Sequence, residues 1–154
     1  MKNRFLLTSL MLLFVITASA QKFDGAWKIN AAKSTVPTDQ LYLSKINFKV
    51  KGDSLYTTRY YQSPDGQEYP FDEVLTLDGT EHKLTIYDMP RVTKASKGEN
   101  GAIVIESKTT FYGNGGEDNL TAKETWKVDG NTLVQDFTNQ MSGQEFKGTF
   151  YYMK

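Results

Sequence analysis

Cysteine is absent from this 154-residue chain, histidine occurs once and proline four times. Without cysteine there is no disulfide staple and no thiol nucleophile, and one histidine cannot supply the several nitrogen or sulfur ligands of a zinc site. Neither sign of charge dominates, since 18 Lys and Arg face 18 Asp and Glu. Two of the basic residues, Lys2 and Arg4, stand at the extreme N-terminus, so the remainder is slightly acidic. Nucleic acid is therefore excluded as a partner, because phosphate binding needs clustered positive charge. Long apolar runs are also missing. The longest, residues 5–16, falls short of the about 20 residues of a membrane span.

That short run has a different meaning. It follows Lys2 and Arg4 and precedes Ala18-Ser19-Ala20, small residues that a signal peptidase accepts. Residues 1–20 are expected to be a signal peptide and residues 21–154 a single exported domain, periplasmic or secreted. No cysteine follows the run, which argues against a lipid anchor. A domain of this size buries about two-thirds of the surface its unfolded chain exposes, so it holds a core without disulfides.

Beyond residue 21 apolar and polar residues alternate with period two, and the alternation breaks at glycine-bearing turns such as Lys51-Gly52-Asp53, Pro64-Asp65-Gly66, Asp78-Gly79-Thr80, Asp129-Gly130-Asn131 and Ser142-Gly143. The breaks delimit strands over 23–30, 41–50, 54–62, 69–77, 82–88, 91–97, 102–112, 119–128, 132–141 and 145–153. Connections this short join antiparallel neighbours, since a parallel return needs a crossover of a dozen or more residues. An open meander of this length leaves two exposed edges, and pairing the first strand with the last removes them. The expected fold is all-β, an up-and-down meander closed into a barrel of eight to ten strands; a flattened two-sheet sandwich is the alternative. The one long connection, residues 31–40, contains Pro37 and either covers a barrel mouth or forms a short helical turn.

Alternate residues of a strand share a face, so an evident core residue assigns its neighbours. Trp126 facing inward brings Leu120, Ala122, Glu124 and Val128 with it. The next strand turns Leu133, Gln135, Phe137, Asn139 and Met141 inward, and the last turns Phe146, Gly148, Phe150 and Tyr152. Leu55, Thr57, Arg59 and Tyr61 share a face, although both faces of that strand carry aromatics. The interior then contains Arg59, Glu73, Ser107, Thr109, Glu124, Gln135 and Asn139. Burying an unpaired charge costs several kcal/mol, so Arg59 has to meet Glu73 or Glu124, hold water, or await an acidic ligand, unless it faces outward or pairs at the rim.

Phe23-Asp24-Gly25-Ala26-Trp27-Lys28-Ile29-Asn30 opens the domain with Gly-x-Trp, Ala31-Ala32-Lys33-Ser34 continues it, and Gly148-Thr149-Phe150-Tyr151-Tyr152-Met153-Lys154 closes it. This pattern resembles the lipocalin and fatty-acid-binding-protein group, the calycins, and in particular small exported bacterial lipocalin-like proteins. The resemblance implies a β-barrel over residues 21–154 with an internal cavity, closed at one end by Trp27 on the strand that begins at Gly25. Two departures stand out. Lipocalins place an arginine near the last strand against the motif tryptophan, and fatty-acid-binding proteins hold a carboxylate with Arg-x-Tyr; the terminal strand here has neither arginine.

Catalytic and metal signatures are sparse. His82, in Gly79-Thr80-Glu81-His82, reads as a solvated turn residue. Asn114-Gly115-Gly116-Glu117-Asp118 gathers oxygen ligands but lacks the alternating acidic loop of an EF-hand, and reads as an acidic hairpin tip. No serine lies in Gly-x-Ser-x-Gly. The expected function is non-catalytic binding of a small, partly apolar or amphipathic molecule, without metal or cofactor. Arg59 serves as polar anchor, Tyr61, Gln135, Asn139 and Tyr152 orient the ligand, and Phe111, Phe137 and Phe150 form apolar wall. Two alternatives stay open: an interaction module with a filled barrel, and an enzyme using Glu73 and Glu124 as acid and base.

Overall fold

The computed structural model describes residues 22–37, 39–113 and 116–154. The expected signal peptide, residues 1–20, lies outside them, as does the tip Asn114-Gly115 of the acidic hairpin. Ten strands follow in order: β1 (Gly25–Ile29), β2 (Tyr42–Lys51), β3 (Ser54–Gln62), β4 (Glu68–Thr76), β5 (Asp78–Ile86), β6 (Met89–Lys97), β7 (Ile103–Gly113), β8 (Gly116–Asp129), β9 (Thr132–Met141) and β10 (Gln144–Met153). All ladders are antiparallel, and the sheet order is β4-β3-β2-β1-β10-β9-β8-β7-β6-β5. The meander closes as the pattern predicts, with β1 on β10 through Lys28 opposite Met153 and Ile29 opposite Tyr152.

The wall has one seam. β4 and β5 are the two ends of the sheet order and share no ladder. Side chains cross there instead. The Tyr87 hydroxyl donates to the Pro70 carbonyl at 2.7 Å, the Thr76 N–H donates to His82 Nε2 at 3.2 Å, and Arg91 Nε lies 3.0 Å from Glu73 Oε1. Pro70 suits an edge strand, which tolerates a missing N–H. His82 is thus a strand residue of β5 that ties the end of β4, not the solvated turn residue the sequence suggested.

Asp78-Gly79-Thr80 does not form the turn expected of it. β5 begins at Asp78, and Gly79 (φ 83°) lies where the register slips between Asp78 and Glu81. Its positive φ serves a β-bulge. The chain turns from β4 into β5 at Leu77, and from β5 into β6 at Tyr87-Asp88, with φ values of 47° and 66°. A two-residue hairpin turn needs left-handed conformations at both central positions, and here no glycine supplies them.

The inward rows are layered. At the closed end Trp27, Phe48, Leu55, Leu75, Ile105, Trp126 and Leu133 form one apolar cluster. Trp27 is 1 % exposed and its indole N–H donates to the Phe23 carbonyl at 2.7 Å. Lys154 Nζ stands 4.7 Å from the centre of the Trp27 ring, so a C-terminal lysine occupies the position against the tryptophan that the resemblance gives to arginine. Gly25 (φ 128°) lets that lysine pass, because a Cβ there would lie 3.2 Å from Lys154 Cε.

Trp27→Ala is expected to cost about 3–5 kcal/mol in urea denaturation, and Trp27→Phe to keep most of the packing but lose about 1 kcal/mol with the Phe23 hydrogen bond. Thr57 is buried with a hydroxyl that has no hydrogen-bond partner among the described residues. Thr57→Val should therefore be neutral or stabilise by about 1 kcal/mol, and a loss larger than that would show that the hydroxyl is satisfied after all.

Candidate functional site

Above the apolar base lies a layer of charge. Arg59 on β3 is 0 % exposed and grips Glu124 of β8 bidentately, Nη1 to Oε1 at 2.9 Å and Nη2 to Oε2 at 2.8 Å. Its Nε donates to Glu73 Oε2 of β4 at 2.9 Å. Glu73 in turn accepts from Arg91 Nε of β6 at 3.0 Å and from the Thr93 hydroxyl at 3.2 Å. Arg91 Nη1 continues to Thr109 Oγ1 on β7 at 3.1 Å, and Trp126 Nε1 donates to Glu124 Oε2 at 2.9 Å. Two guanidiniums thus face two carboxylates, and the layer is neutral.

The charge states follow from that geometry. Burial opposes the Arg59 charge, but Glu124 and Glu73 outweigh it and hold its pKa well above the ordinary value. Burial pushes Glu73 upward, yet Arg59 and Arg91 pull its carboxyl below the usual range. A carboxyl held ionised in this way is poorly suited to donate a proton, which weighs against Glu73 as a general acid.

Over this layer opens a cavity of about 670 Å³. Tyr61 and Gln135 stand at its floor beside Glu124, Phe137, Phe150, Leu43 and Leu120 form its walls, and Asn139 and Met141 rise toward the mouth. Thr35, Pro37 and Gln40 line the mouth, so the long connection borders the opening, and it begins with a turn in which the Lys33 and Ser34 N–H groups both donate to the Asn30 carbonyl at 3.0 Å. Gly148 faces Phe137 on the neighbouring strand; a Cβ at Gly148 would lie 3.0 Å from Phe137 Cζ, so the glycine makes room for that ring.

Of the residues singled out in the sequence, Tyr61, Gln135, Phe137, Asn139 and Phe150 line this cavity together, whereas Arg59, Phe111 and Tyr152 do not. Arg59 lies beneath Glu124, its charge already met. Phe111 belongs to a separate depression near the β7–β8 hairpin, with Tyr112 and Met141. Tyr152 is 0 % exposed and acts one step behind the wall, its hydroxyl donating to Gln135 Oε1 at 2.8 Å. Burial, reinforced by Glu124, raises the Tyr152 pKa well above the ordinary phenol value. Tyr61 is raised as well, by burial first, with Arg59 opposing and Glu124 reinforcing. Its ring stacks on Phe71 at 5.8 Å.

Sequence reasoning missed Arg91 and Thr93. One signal for Arg91 was present: a lone Arg59 between two inward glutamates leaves a buried carboxylate without a cation. It also missed Leu41 at the mouth, and it turned Phe146 inward without naming it as wall; the two are 53 % and 51 % exposed and line the same cavity. Near the β7–β8 hairpin tip, Asp118 accepts from the Asn119 N–H at 2.8 Å and from the Ser142 hydroxyl. No group of three or more potential metal ligands occurs among the described residues.

No protein-family model matches this chain, and no curated protein matches its sequence. Among the solved structures that resemble it are two barrels. One is an abundant heat soluble (SAHS) protein from Ramazzottius varieornatus, at 14 % identity and TM-score 0.52, covering 86 % of this chain and 95 % of that one. The other is the fatty-acid-binding protein isolated from Manduca sexta, at 14 % identity and TM-score 0.50, covering 86 % of this chain and 99 % of that one. The likeness shows a shared fold, an all-β antiparallel barrel.

Removing Arg59 tests the charged layer. Arg59→Met leaves Glu124 and Glu73 buried with one cation fewer, and should cost about 3–5 kcal/mol near neutral pH. The pH dependence has a definite sign. In the wild type Glu73 lies below its ordinary value of 4.5, so its contribution is present above that pH and is lost as pH falls through the folded value. In Arg59→Met the Glu73 carboxyl loses one of the two cations that hold it down, so burial raises it and proton uptake favours the folded variant. The stability gap between the two proteins should therefore narrow on going from about pH 8 to about pH 5. Denaturation midpoints at both pH values decide it, and a constant gap would disprove the pairing.

Proposed function

We propose that the protein is an exported, non-catalytic carrier that holds a small amphipathic molecule inside its barrel. The observation that carries this reading is the cavity of about 670 Å³, apolar on its walls and furnished with a few convergent polar groups. That size and make-up suit a small-molecule site, in which apolar walls supply affinity and sparse polar atoms supply orientation. Among the described residues the Tyr61 hydroxyl, the Gln135 amide nitrogen and the Asn139 amide have no hydrogen-bond partner. The base of the barrel is packed, while the end toward the mouth is open. That open volume supports an internal site over a filled interior with partners docking outside. The fatty-acid-binding protein of Manduca sexta, by its name, also takes an amphipathic ligand on this fold. Export rests on the basic, apolar and small-residue order of residues 1–20.

Protein purified without detergent and analysed by native mass spectrometry should carry a co-extracted small molecule, and after delipidation it should bind the neutral dye Nile red. Leu120→Trp, which extends a wall residue into the cavity, should weaken dye binding about tenfold or more with an unchanged circular dichroism spectrum. Undiminished binding in that variant would place the dye elsewhere and remove the support for an internal site.

A further inference from the structure

We propose that the cavity selects neutral amphipathic molecules whose head group is a hydroxyl or carbonyl oxygen, long-chain alcohols in particular, and discriminates against the corresponding free acids. The inference rests on the carrier reading above and specifies its ligand class.

The first ground is which charge faces the ligand. Of the four members of the buried layer, Glu124 alone lines the cavity. Arg59 has no exposed surface and is held from two sides by carboxylates. Arg91 is buried against Glu73 and Thr109, with its guanidinium 5.8 Å from the Phe71 ring. An anionic head group descending to the floor therefore meets a carboxylate before any cation. Like charges in a poorly solvated site repel strongly, and a buried carboxylate without its own cation is costly. The mouth offers little compensation, because Lys147 is 75 % exposed and lies 3.7 Å from Glu145.

The second ground is what the floor does offer. The Tyr152 hydroxyl, placed between Gln135 Oε1 at 2.8 Å and the Leu43 carbonyl at 3.3 Å, turns the oxygen of that amide toward the wall and leaves the Nε2 hydrogens for a ligand. Beside it the Tyr61 hydroxyl, kept protonated by its burial, is a second donor. Both are neutral, and both suit an uncharged oxygen with lone pairs. A hydroxyl also carries one hydrogen, which the oxygens of Glu124 can accept. A carboxylate has no hydrogen to give them.

Titration of the delipidated protein with hexadecan-1-ol and with hexadecanoate, at about pH 8 where the acid is ionised, tests the inference through displacement of Nile red. The alcohol should bind about tenfold tighter or more. Equal or tighter binding of hexadecanoate overturns the selectivity and leaves the carrier reading intact, whereas failure of both ligands and of the dye removes the carrier reading and this inference together. Two variants separate the grounds. Tyr61→Phe should weaken the alcohol about threefold to tenfold relative to the dye, and an unchanged alcohol-to-dye affinity ratio would overturn the assigned contact. Glu124→Gln removes the facing charge and leaves the guanidiniums in excess, so hexadecanoate should gain about tenfold. If that variant does not fold, the alcohol-to-acid ratio and Tyr61→Phe still decide the matter.

Discussion

A chain of four charges crosses the lumen from Glu124 on β8, through Arg59 on β3 and Glu73 on β4, to Arg91 on β6. Two of its three links, Glu124 to Arg59 and Glu73 to Arg91, join strands that no ladder joins. β3 and β8 stand on opposite walls, and β4 and β6 lie on either side of the seam. Ion pairs this deep recover little net stability, because desolvation consumes most of the Coulomb gain. Their value lies in the penalty for misplacement. If β4 slid along β5 or the seam opened, a carboxylate would be left buried beside nothing, at a cost of several kcal/mol. The strut thus sets the width of the barrel where hydrogen-bonded closure is missing.

The same strut divides the interior. Below it, aromatic and aliphatic side chains fill the space between the walls, with the Phe48 and Trp126 rings edge to face at 5.2 Å. Above it, the rows from β8, β9 and β10 continue with Leu120, Phe137, Asn139 and Phe150 around open volume. A lumen that is neither wholly packed nor wholly hollow resolves the choice posed by its sequence. The polar residues that a dry core would avoid form the boundary between its two halves.

Strand number, antiparallel order and closure of β1 on β10 were legible because each rests on a strong local rule, period-two alternation broken by glycine turns. Legibility failed where the rule was carried by an unexpected residue. Tyr87 and Asp88 adopt left-handed backbone without glycine, held by the Tyr87 hydrogen bond to Pro70. Gly79, which looks like a turn glycine, serves a bulge. Neither is readable from composition, since a tertiary contact stabilises the first and a register slip defines the second. The site was legible to the extent that side-chain alternation decides it, which is why Tyr61, Gln135, Phe137, Asn139 and Phe150 were brought together correctly. Alternation says which face a residue occupies and nothing of depth. Arg59 and Tyr152 do face inward, but below the floor, and Phe111 lies too far along β7.

Depth is also what separates the charge a barrel contains from the charge its ligand encounters. An inward arginine invites the reading of an anion site, and the inference fails here because the guanidinium is saturated before the cavity begins. On the proposed carrier reading, selectivity belongs to the first uncommitted atoms above the strut, the Tyr61 hydroxyl and the Gln135 amide nitrogen, and to the sign of the charged group beside them. The mouth adds a second constraint. Leu41 and Phe146 are exposed there, with Lys147 and Glu145 balancing in charge, so an apolar chain finds contact at the rim without an electrostatic preference. A ligand held with its oxygen at the floor and its chain along Phe137 and Phe150 toward that rim satisfies both ends at once. The reverse orientation would set hydrocarbon against Glu124 and leave the donors of Tyr61 and Gln135 buried without partners, which the cost of unmet polar groups disfavours.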